Sequence, residues 1–378
     1  MSRLRVAVVG VGHLGQHHAR ILAAMPDVEL VAVVDSRIDR ARSIAEKFGT
    51  RAVEDHRTLL DQLDAISIAV PTCYHREVAT PFLERGIAAL VEKPLAGSLA
   101  DAEALASTAR AGNAVLQVGH IERFNPAFGV LQDNPIRPRY INAERLSTHT
   151  FRSTDIGVVL DLMIHDIDLV LSMTNAPVRS VSAVGLSLFG QHEDVANARV
   201  EFEDGCVANI TASRASYSAV RKMRVWGVEG YASLDFATKH ATFVRPSEQL
   251  RNGELDLDGI DLAQPLAVKE HLFGKVLNVT NTQAEGREPL ALELEDFVRA
   301  ARRLAPPKVT GDDAVRSIRL ADQVLQSLQA HRWSAEGAER PVDAQPQPAE
   351  PAYQGPHFWQ NKGLRQNTAA EHSASRGH

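Results

Sequence analysis

LRVAVVGVGHLGQHHARIL, residues 4–22, decides the fold of this 378-residue chain. The apolar, β-branched run before Gly10 predicts a buried parallel strand, and the residues after Gly15 have helical spacing. Between them stands G-x-G-x-x-G. Gly10 permits a tight turn, Gly12 lets a pyrophosphate approach the backbone, and Gly15 lets helix and strand pack closely. The motif therefore predicts a dinucleotide site at the start of a helix, where free N–H groups hold an anion.

The residue that follows the second apolar strand, residues 29–34, indicates which cofactor binds. It ends at Asp35, at about the 20-residue spacing where a ribose-binding acid falls. A carboxylate there accepts hydrogen bonds from the ribose hydroxyls and repels a 2′-phosphate, so NAD is favoured over NADP. Arg37 is the contrary signal, because a nearby arginine accommodates that phosphate.

Strands continue to alternate with helices as far as residue 120, which predicts a parallel, doubly wound sheet. Ligands of such sheets bind beyond the carboxyl ends of the strands. The strand ends Pro71-Thr72, Glu92-Lys93 and Gly119-His120 should therefore share one crevice with the glycine loop. The predicted cofactor-binding residues are Gly10, Gly12, His13, Leu14, Gly15, Asp35, Ser36, Arg37, Pro71, Thr72, His75, Glu92 and Lys93.

Beyond the first 120 residues the pattern changes to strands with partial alternation and few intervening helices, which indicates a mostly antiparallel open sheet. The fold prediction is α/β: a Rossmann domain over 1–120 and an α+β substrate and oligomerisation domain over 121–333. Residues 334–378 are rich in Pro, Gln, Ala and Glu, and cannot bury enough apolar area to offset their ordering entropy. We predict a disordered tail there.

Composition excludes several classes of function. With 41 basic and 47 acidic residues the formal charge is −6, so there is no basic footprint for nucleic acid. No apolar run approaches the roughly 18 residues of a membrane span. The two cysteines are far apart and support neither a disulfide framework nor a zinc site. We expect a cytoplasmic protein.

Three residues are predicted to carry chemistry: Lys93, Asp161 and His165. Lys93 stands at a strand's carboxyl end before a proline, where partial burial makes an ammonium proton transferable. Asp161 and His165 are four residues apart among apolar neighbours, so they share one helical face. An aspartate that holds an imidazole is a usual arrangement for a general base. The alternatives are a solvated loop lysine for Lys93 and, for the other two residues, a surface Asp–His pair or a core histidine whose hydrogen bonds are satisfied.

The junction GHIERFNP, residues 119–126, predicts substrate contacts, because its polar groups face both cofactor and substrate. Asn125 can bond a sugar hydroxyl, and arginines pair with carboxylate or phosphate. The predicted substrate-binding residues are His120, Arg123, Asn125, Arg145, Arg152 and His165. Zinc is a competing use for the histidines, but no H-E-x-x-H or cysteine cluster accompanies them, and no metal is predicted.

The combination GVGHLG, Asp35, AVPTCYH, VEKP, GHIERFNP and DLMIHDIDL resembles the Gfo/Idh/MocA oxidoreductases over residues 4 to 330. The resemblance implies hydride transfer between NAD(P) and a sugar or cyclitol carbon. Lys93 and His165 would act on the proton of the reacting hydroxyl, and Asp161 would orient His165. The open sheet of the second domain would form the interface of a homodimer or homotetramer.

Within that family, two segments are most similar to sugar-nucleotide 3-dehydrogenases: the junction GHIERFNP, residues 119–126, and FRSTDIGVVLDLMIHDIDL, residues 151–169. This implies NAD-dependent oxidation of C3 of UDP-N-acetylglucosamine to a 3-keto sugar. A pyridoxal-phosphate aminotransferase would then make a 3-amino sugar for lipid A or other glycans. The alternatives are the corresponding uronate, UDP-GlcNAcA, a free sugar or inositol, and a ligand-sensing regulator that binds dinucleotide without turnover.

Overall fold

A computed structural model describes residues 2–149, 156–254 and 263–331. These residues form a six-stranded sheet and an eight-stranded sheet. The predicted disordered tail lies outside the described residues. No helix in the described ranges is both long enough and apolar enough to cross a bilayer.

The first sheet is parallel throughout, with the strand order β3-β2-β1-β4-β5-β6. Its helices connect successive strands, as the sequence predicts, and every residue of β4 and β5 is buried because both faces of the sheet are covered. The elements are β1 Leu4–Val9, α1 Gly15–Ala24, β2 Val28–Val34, α2 Ile38–Phe48, β3 Arg51–Val53, β4 Ala65–Ile68, α3 His75–Leu83, β5 Ala88–Glu92, α4 Leu99–Ala111, β6 Leu116–Gly119 and α5 Pro126–Asp133.

The second sheet has the order β14-β13-β12-β11-β7-β10-β9-β8 and is antiparallel except where β7 pairs with β10. The prediction of a mostly antiparallel sheet is confirmed. Two hairpins form in this sheet, β9–β10 and β11–β12, with Gly205 and Gly230 at positive φ in their turns. The elements are β7 Tyr140–Leu146, α6 Ile164–Met173, β8 Val178–Leu186, β9 Val195–Phe202, β10 Val207–Ser213, β11 Val220–Gly227, β12 Gly230–Asp235, β13 His240–Pro246, α7 Glu248–Arg251, α8 Pro265–His271, β14 Leu277–Gln283, α9 Pro289–Ala301 and α10 Gly311–Ala330.

Three helices after β7 link the elements of the two domains, and one of them, α10, packs on α4 of the first domain and on β8 of the second. Helix α6 follows directly on a π-helical turn, Val159–Met163, and packs on β7 and β10 of the second sheet. Helix α9 comes after that sheet in the chain but packs on α1 and β5, where Leu294 and Phe297 are fully buried in the apolar core of the first domain. The sequence prediction placed α9 in the second domain. The structure instead uses it to cover the first.

Candidate active site

The glycine loop has the geometry that each glycine was predicted to provide. Gly10 has φ +83°, and a Cβ on it would lie 2.6 Å from the carbonyl oxygen of Ala69. A Cβ on Gly15 would lie 1.7 Å from the carbonyl oxygen of Gly10, so only glycine allows this helix to approach. A Cβ on Gly12 would lie 3.7 Å from its nearest neighbour, Arg40 Nη1, so the backbone here is open to a ligand. The residue before α1, Leu14, has no side-chain hydrogen bond with which to cap the helix, and both His13 and Leu14 are exposed.

Asp35 closes the other side of this loop. Its carboxylate is buried and accepts hydrogen bonds from the backbone N–H groups of Val11, at 3.2 Å, and Arg37, at 2.9 Å. The side chain beside it is that of Arg40, whose Nη1 is 3.4 Å from Asp35 Oδ2. Ser36 and Arg37 are exposed. A ribose would therefore meet a carboxylate that the loop already holds in place, which fits NAD.

Glu92 ends β5 as a buried carboxylate. Its Oε1 is 3.0 Å from Nε2 of His18, whose Nδ1 is 2.8 Å from the Ser67 hydroxyl. Burial alone would raise the pKa of Glu92, but His18 and the neighbouring Lys93 hold that pKa below its usual value. A Cβ on Gly119 would be 3.0 Å from the Glu92 carboxylate, so glycine at this position makes room for it. A fixed negative charge thus stands directly before Lys93.

Lys93 crosses the crevice to the second domain. Its Nζ donates to the carbonyl oxygen of Asp161 at 2.6 Å and to Asp161 Oδ1 at 3.1 Å. The peptide bond from Lys93 to Pro94 is cis. Asp161 was expected to orient His165, but no hydrogen bond joins these two in the described residues. The π turn changes the angular spacing on which that expectation rested, and an ammonium is a stronger partner for a carboxylate than a neutral imidazole is.

His165 and His120 face each other beside Lys93. Their rings are 6.5 Å apart and nearly perpendicular, and both are buried. The pKa of His165 is well below its usual value, first because of burial and then because of the charges of Lys93 and Arg145. Burial likewise lowers the pKa of His120. Within the described residues neither Nδ1 has a hydrogen-bond partner. His165 is therefore a neutral imidazole, able to accept a proton near pH 7.

Two family descriptions match this chain in the order of its domains. Residues 4–120 match the oxidoreductase family with an NAD-binding Rossmann fold, and residues 130–233 match the GFO/IDH/MocA C-terminal domain. The chain belongs to the GFO/IDH/MocA family. It is an NAD-dependent oxidoreductase, and the predictions of the family, the fold class and the cofactor are confirmed.

Relatives within the family differ in their substrates. The chain is 34% identical over 336 residues to the UDP-N-acetylglucosamine 3-dehydrogenase of Acidithiobacillus ferrooxidans, covering 87% of this chain and 99% of that protein. A solved structure of that enzyme superposes with a TM-score of 0.76, over the same shares of each chain. The scyllo-inositol 2-dehydrogenase (NAD(+)) of Bacillus subtilis is 28% identical, covering 86% of this chain and 94% of the relative.

Two arginines near the site, Arg123 of the junction and Arg145 of β7, are held in ion pairs. Arg123 donates to both oxygens of Asp168, at 2.6 and 3.1 Å. Arg145 donates to both oxygens of Asp166, at 2.9 Å each, and to Glu122 at 2.7 Å. Burial opposes the charge of Arg145, but its two carboxylate partners raise its pKa above the usual value. Each of these buried guanidinium groups already has a carboxylate partner, as a buried charge requires, and the contact of Arg123 and Arg145 with substrate stays a prediction.

Two further predicted contacts are structural. Asn125 caps α5 by accepting from Ala127 N–H at 3.1 Å, and it donates to Glu122 and to the carbonyl oxygen of Phe236. His75 was expected to bind cofactor, but its ring is buried with Nδ1 3.0 Å from the carbonyl oxygen of Pro94 and Nε2 3.0 Å from that of Val70. Both ring nitrogens thus face loop backbone. Pro71 and Thr72 remain at the mouth of the crevice after β4.

Two charged residues around the site, Glu193 and Arg221, were not predicted from the sequence. Glu193 accepts from the N–H of Val159 at 3.0 Å and so holds the start of the turn that carries Asp161. Arg221 lies on β11 opposite Arg145. Neither belongs to a motif, so only their tertiary position reveals them. Arg152 lies outside the described residues, and within the described ones no three potential ligands cluster as a metal site.

Proposed function

We propose that this family member uses NAD to oxidise the C3 hydroxyl of UDP-N-acetylglucosamine. The similarity to the A. ferrooxidans enzyme, which extends over 99% of that protein, supports this choice of substrate. The observation that carries the proposed chemistry is the approach of Lys93 to the helix of His165. The ammonium of one domain is anchored on Asp161 of the other, close enough to depress the pKa of His165.

In this proposal the residues of the chain have distinct tasks. His165 accepts the hydroxyl proton, because burial and its cationic neighbours keep the imidazole neutral. Lys93, held by Asp161, donates a hydrogen bond to the substrate oxygen and stabilises the charge that develops on it. The loop from Gly10 to Gly15 and the Asp35 carboxylate would hold the pyrophosphate and ribose of the cofactor. When bound, NAD supplies the hydride acceptor.

The test is NADH formation with four substrates: UDP-GlcNAc, UDP-GlcNAcA, glucose and myo-inositol. A purified aminotransferase with glutamate is included to draw the reaction forward, because the proposed keto sugar would be consumed by transamination towards a 3-amino sugar for lipid A or another glycan. We expect the largest kcat/KM with UDP-GlcNAc. A preference for myo-inositol would refute the substrate, and no NADH with any of the four would favour the ligand-sensing regulator.

The roles of the two residues are tested by His165→Ala and Lys93→Ala. General acid–base catalysis contributes typically 10²–10⁴-fold, so each variant should lose about 100-fold or more in kcat. Binding of NADH, followed by fluorescence, should persist because neither side chain builds the glycine loop. His240→Ala on β13 is the matched control and should keep full activity. Turnover like that of the unsubstituted chain in either site variant would refute the mechanism.

We also propose that the second sheet pairs with another copy of the chain, giving a homodimer or homotetramer. The support is an aromatic row on the face opposite the helices: Tyr140 stacks on Trp226, which packs on Tyr231, with ring centres 5.0 Å apart at each step. Their sequence neighbours on each strand are buried on the other face. Light scattering on Trp226→Glu tests this, and an unchanged mass would refute it.

A further inference from the structure

Arg221 lies on the second sheet directly across from Arg145. In the antiparallel pairing of β11 with β7, these two arginines are opposite each other. Side chains two residues apart along a strand share a face, and Met223 and Val225 of β11 are fully buried in the same core as α6. Arg221 therefore stands on the face of the sheet that carries α6, as the second residue of β11.

The two arginines differ in their partners. Arg145 is buried between two carboxylates, whereas Arg221 is exposed and makes no side-chain hydrogen bond or ion pair in the described parts of the chain. Its charge still reaches the site, because it contributes to lowering the pKa of His165 and opposes the rise in the pKa of Asp166. Lys93 and Arg123 are both engaged with aspartates. Among the cations whose charge lowers the pKa of His165 in the described residues, Arg221 thus has no carboxylate partner, whereas Lys93 and Arg145 each have one.

We propose that Arg221 binds the anionic group of the substrate. This inference rests on the proposed function, in which the substrate carries a diphosphate and, in the uronate alternative, also a carboxylate. A guanidinium matches either anion through two parallel N–H donors, and the donors of the exposed Arg221 side chain have no protein partner among the described residues. The diphosphate of a sugar nucleotide is the larger charge and is the group we assign to it.

The experiment compares Arg221→Gln with Arg224→Gln. Arg224 lies three residues further along the same strand, on the opposite face, where its Nη1 is 3.9 Å from Glu144. Binding of UDP is measured by calorimetry on chain saturated with NADH, and KM is measured for UDP-GlcNAc and UDP-GlcNAcA. Loss of a charge-assisted hydrogen bond predicts at least tenfold weaker UDP binding and at least a tenfold higher KM for Arg221→Gln. Arg224→Gln should match the unsubstituted chain, and Arg221→Lys should recover part of the affinity.

The outcomes separate the two proposals. If Arg221→Gln weakens only UDP-GlcNAcA, the assignment of the diphosphate to Arg221 is overturned, because UDP and UDP-GlcNAc carry the same diphosphate. If its UDP affinity and both KM values equal those of Arg224→Gln, the assignment of Arg221 is overturned while the dehydrogenase proposal stands. If the unsubstituted chain binds UDP through Arg221 but forms no NADH with either nucleotide sugar, the proposed reaction fails and the anion site remains.

Discussion

Gly157 and Glu193 together fix the start of the segment that carries Asp161 and His165. The Glu193 carboxylate accepts from Val159 N–H at 3.0 Å, and its carbonyl oxygen accepts from Val158 N–H at 2.9 Å. A Cβ on Gly157 would lie 2.0 Å from Glu193 Oε1. We therefore predict that Gly157→Ala expels the carboxylate from its cap, because the far end of the glutamate moves more easily than the backbone.

The magnitude follows from what the cap contributes. Loss of a side-chain cap costs about 0.5–2 kcal/mol, and the carboxylate's interaction with the positive end of the helix adds about 0.3–1 kcal/mol. Glu193→Ala and Gly157→Ala should each lower the free energy of unfolding by about 1–2 kcal/mol. In the Glu193→Ala background the steric conflict is gone, so adding Gly157→Ala should cost close to nothing. The coupling between the two sites is then about 1–2 kcal/mol.

The assay is a double-mutant cycle on four proteins: the unsubstituted chain, both single variants and the double variant. Each is unfolded thermally, and kcat with UDP-GlcNAc is measured in parallel. We expect the three variants to share nearly the same lowered Tm. All three should also lose activity, because the turn that presents Asp161 to Lys93 loses its cap. Strictly additive losses, or a Gly157→Ala variant as stable as the unsubstituted chain, would refute the reasoning.

Three other predictions concern buried or paired charges. Glu293 is fully buried, which raises its pKa well above the usual value, and its carboxylate has no hydrogen-bond partner in the described residues. The folded chain therefore holds this proton to a higher pH than the unfolded chain does. The free energy of unfolding should fall as pH rises from about 4.3, the ordinary glutamate pKa, towards the folded pKa of Glu293. Glu293→Gln should flatten Tm against pH, and parallel curves would contradict this. Arg145→Leu leaves two buried carboxylates without their partner and should lower the free energy of unfolding, measured in denaturant, by about 3–5 kcal/mol. A loss below about 1 kcal/mol would argue against the pairing. Asp35→Ser frees Arg40 and should shift the kcat/KM ratio towards NADP, whereas an unchanged ratio would reject the role of Asp35.

The first domain was predictable because its signals are local. Buried parallel strands are continuous apolar runs, and the glycine loop lies within one strand–turn–helix unit, where Gly15 is required by its close approach to Gly10. Strands β13 and β14 were missed. Every residue of β14 is at least partly exposed and its sequence, LNVTNTQ, is mostly polar, so it follows no apolar pattern and becomes a strand only by pairing with β13 at the sheet edge.

The packing of α9 shows what a local sequence pattern does not specify. Its apolar periodicity correctly predicts a helix, but Leu294 and Phe297 would fill a core in either domain equally well. Their burial against the first sheet depends on the path of the chain after β14, which returns across the molecule. Periodicity specifies that a face must be buried and leaves open the surface that buries it.

Burial also determines how the charged side chains around the site are paired. Helix α6 carries Asp166 and Asp168 on a segment that is buried along nearly its whole length, and two buried carboxylates require two cationic partners. Arg123 of the junction and Arg145 of β7 meet that requirement, so their guanidinium groups are already paired with carboxylates. A cation that binds substrate must then come from a position where no buried acid competes for it. Arg221, at the exposed end of its strand, meets that condition, although no motif marks it.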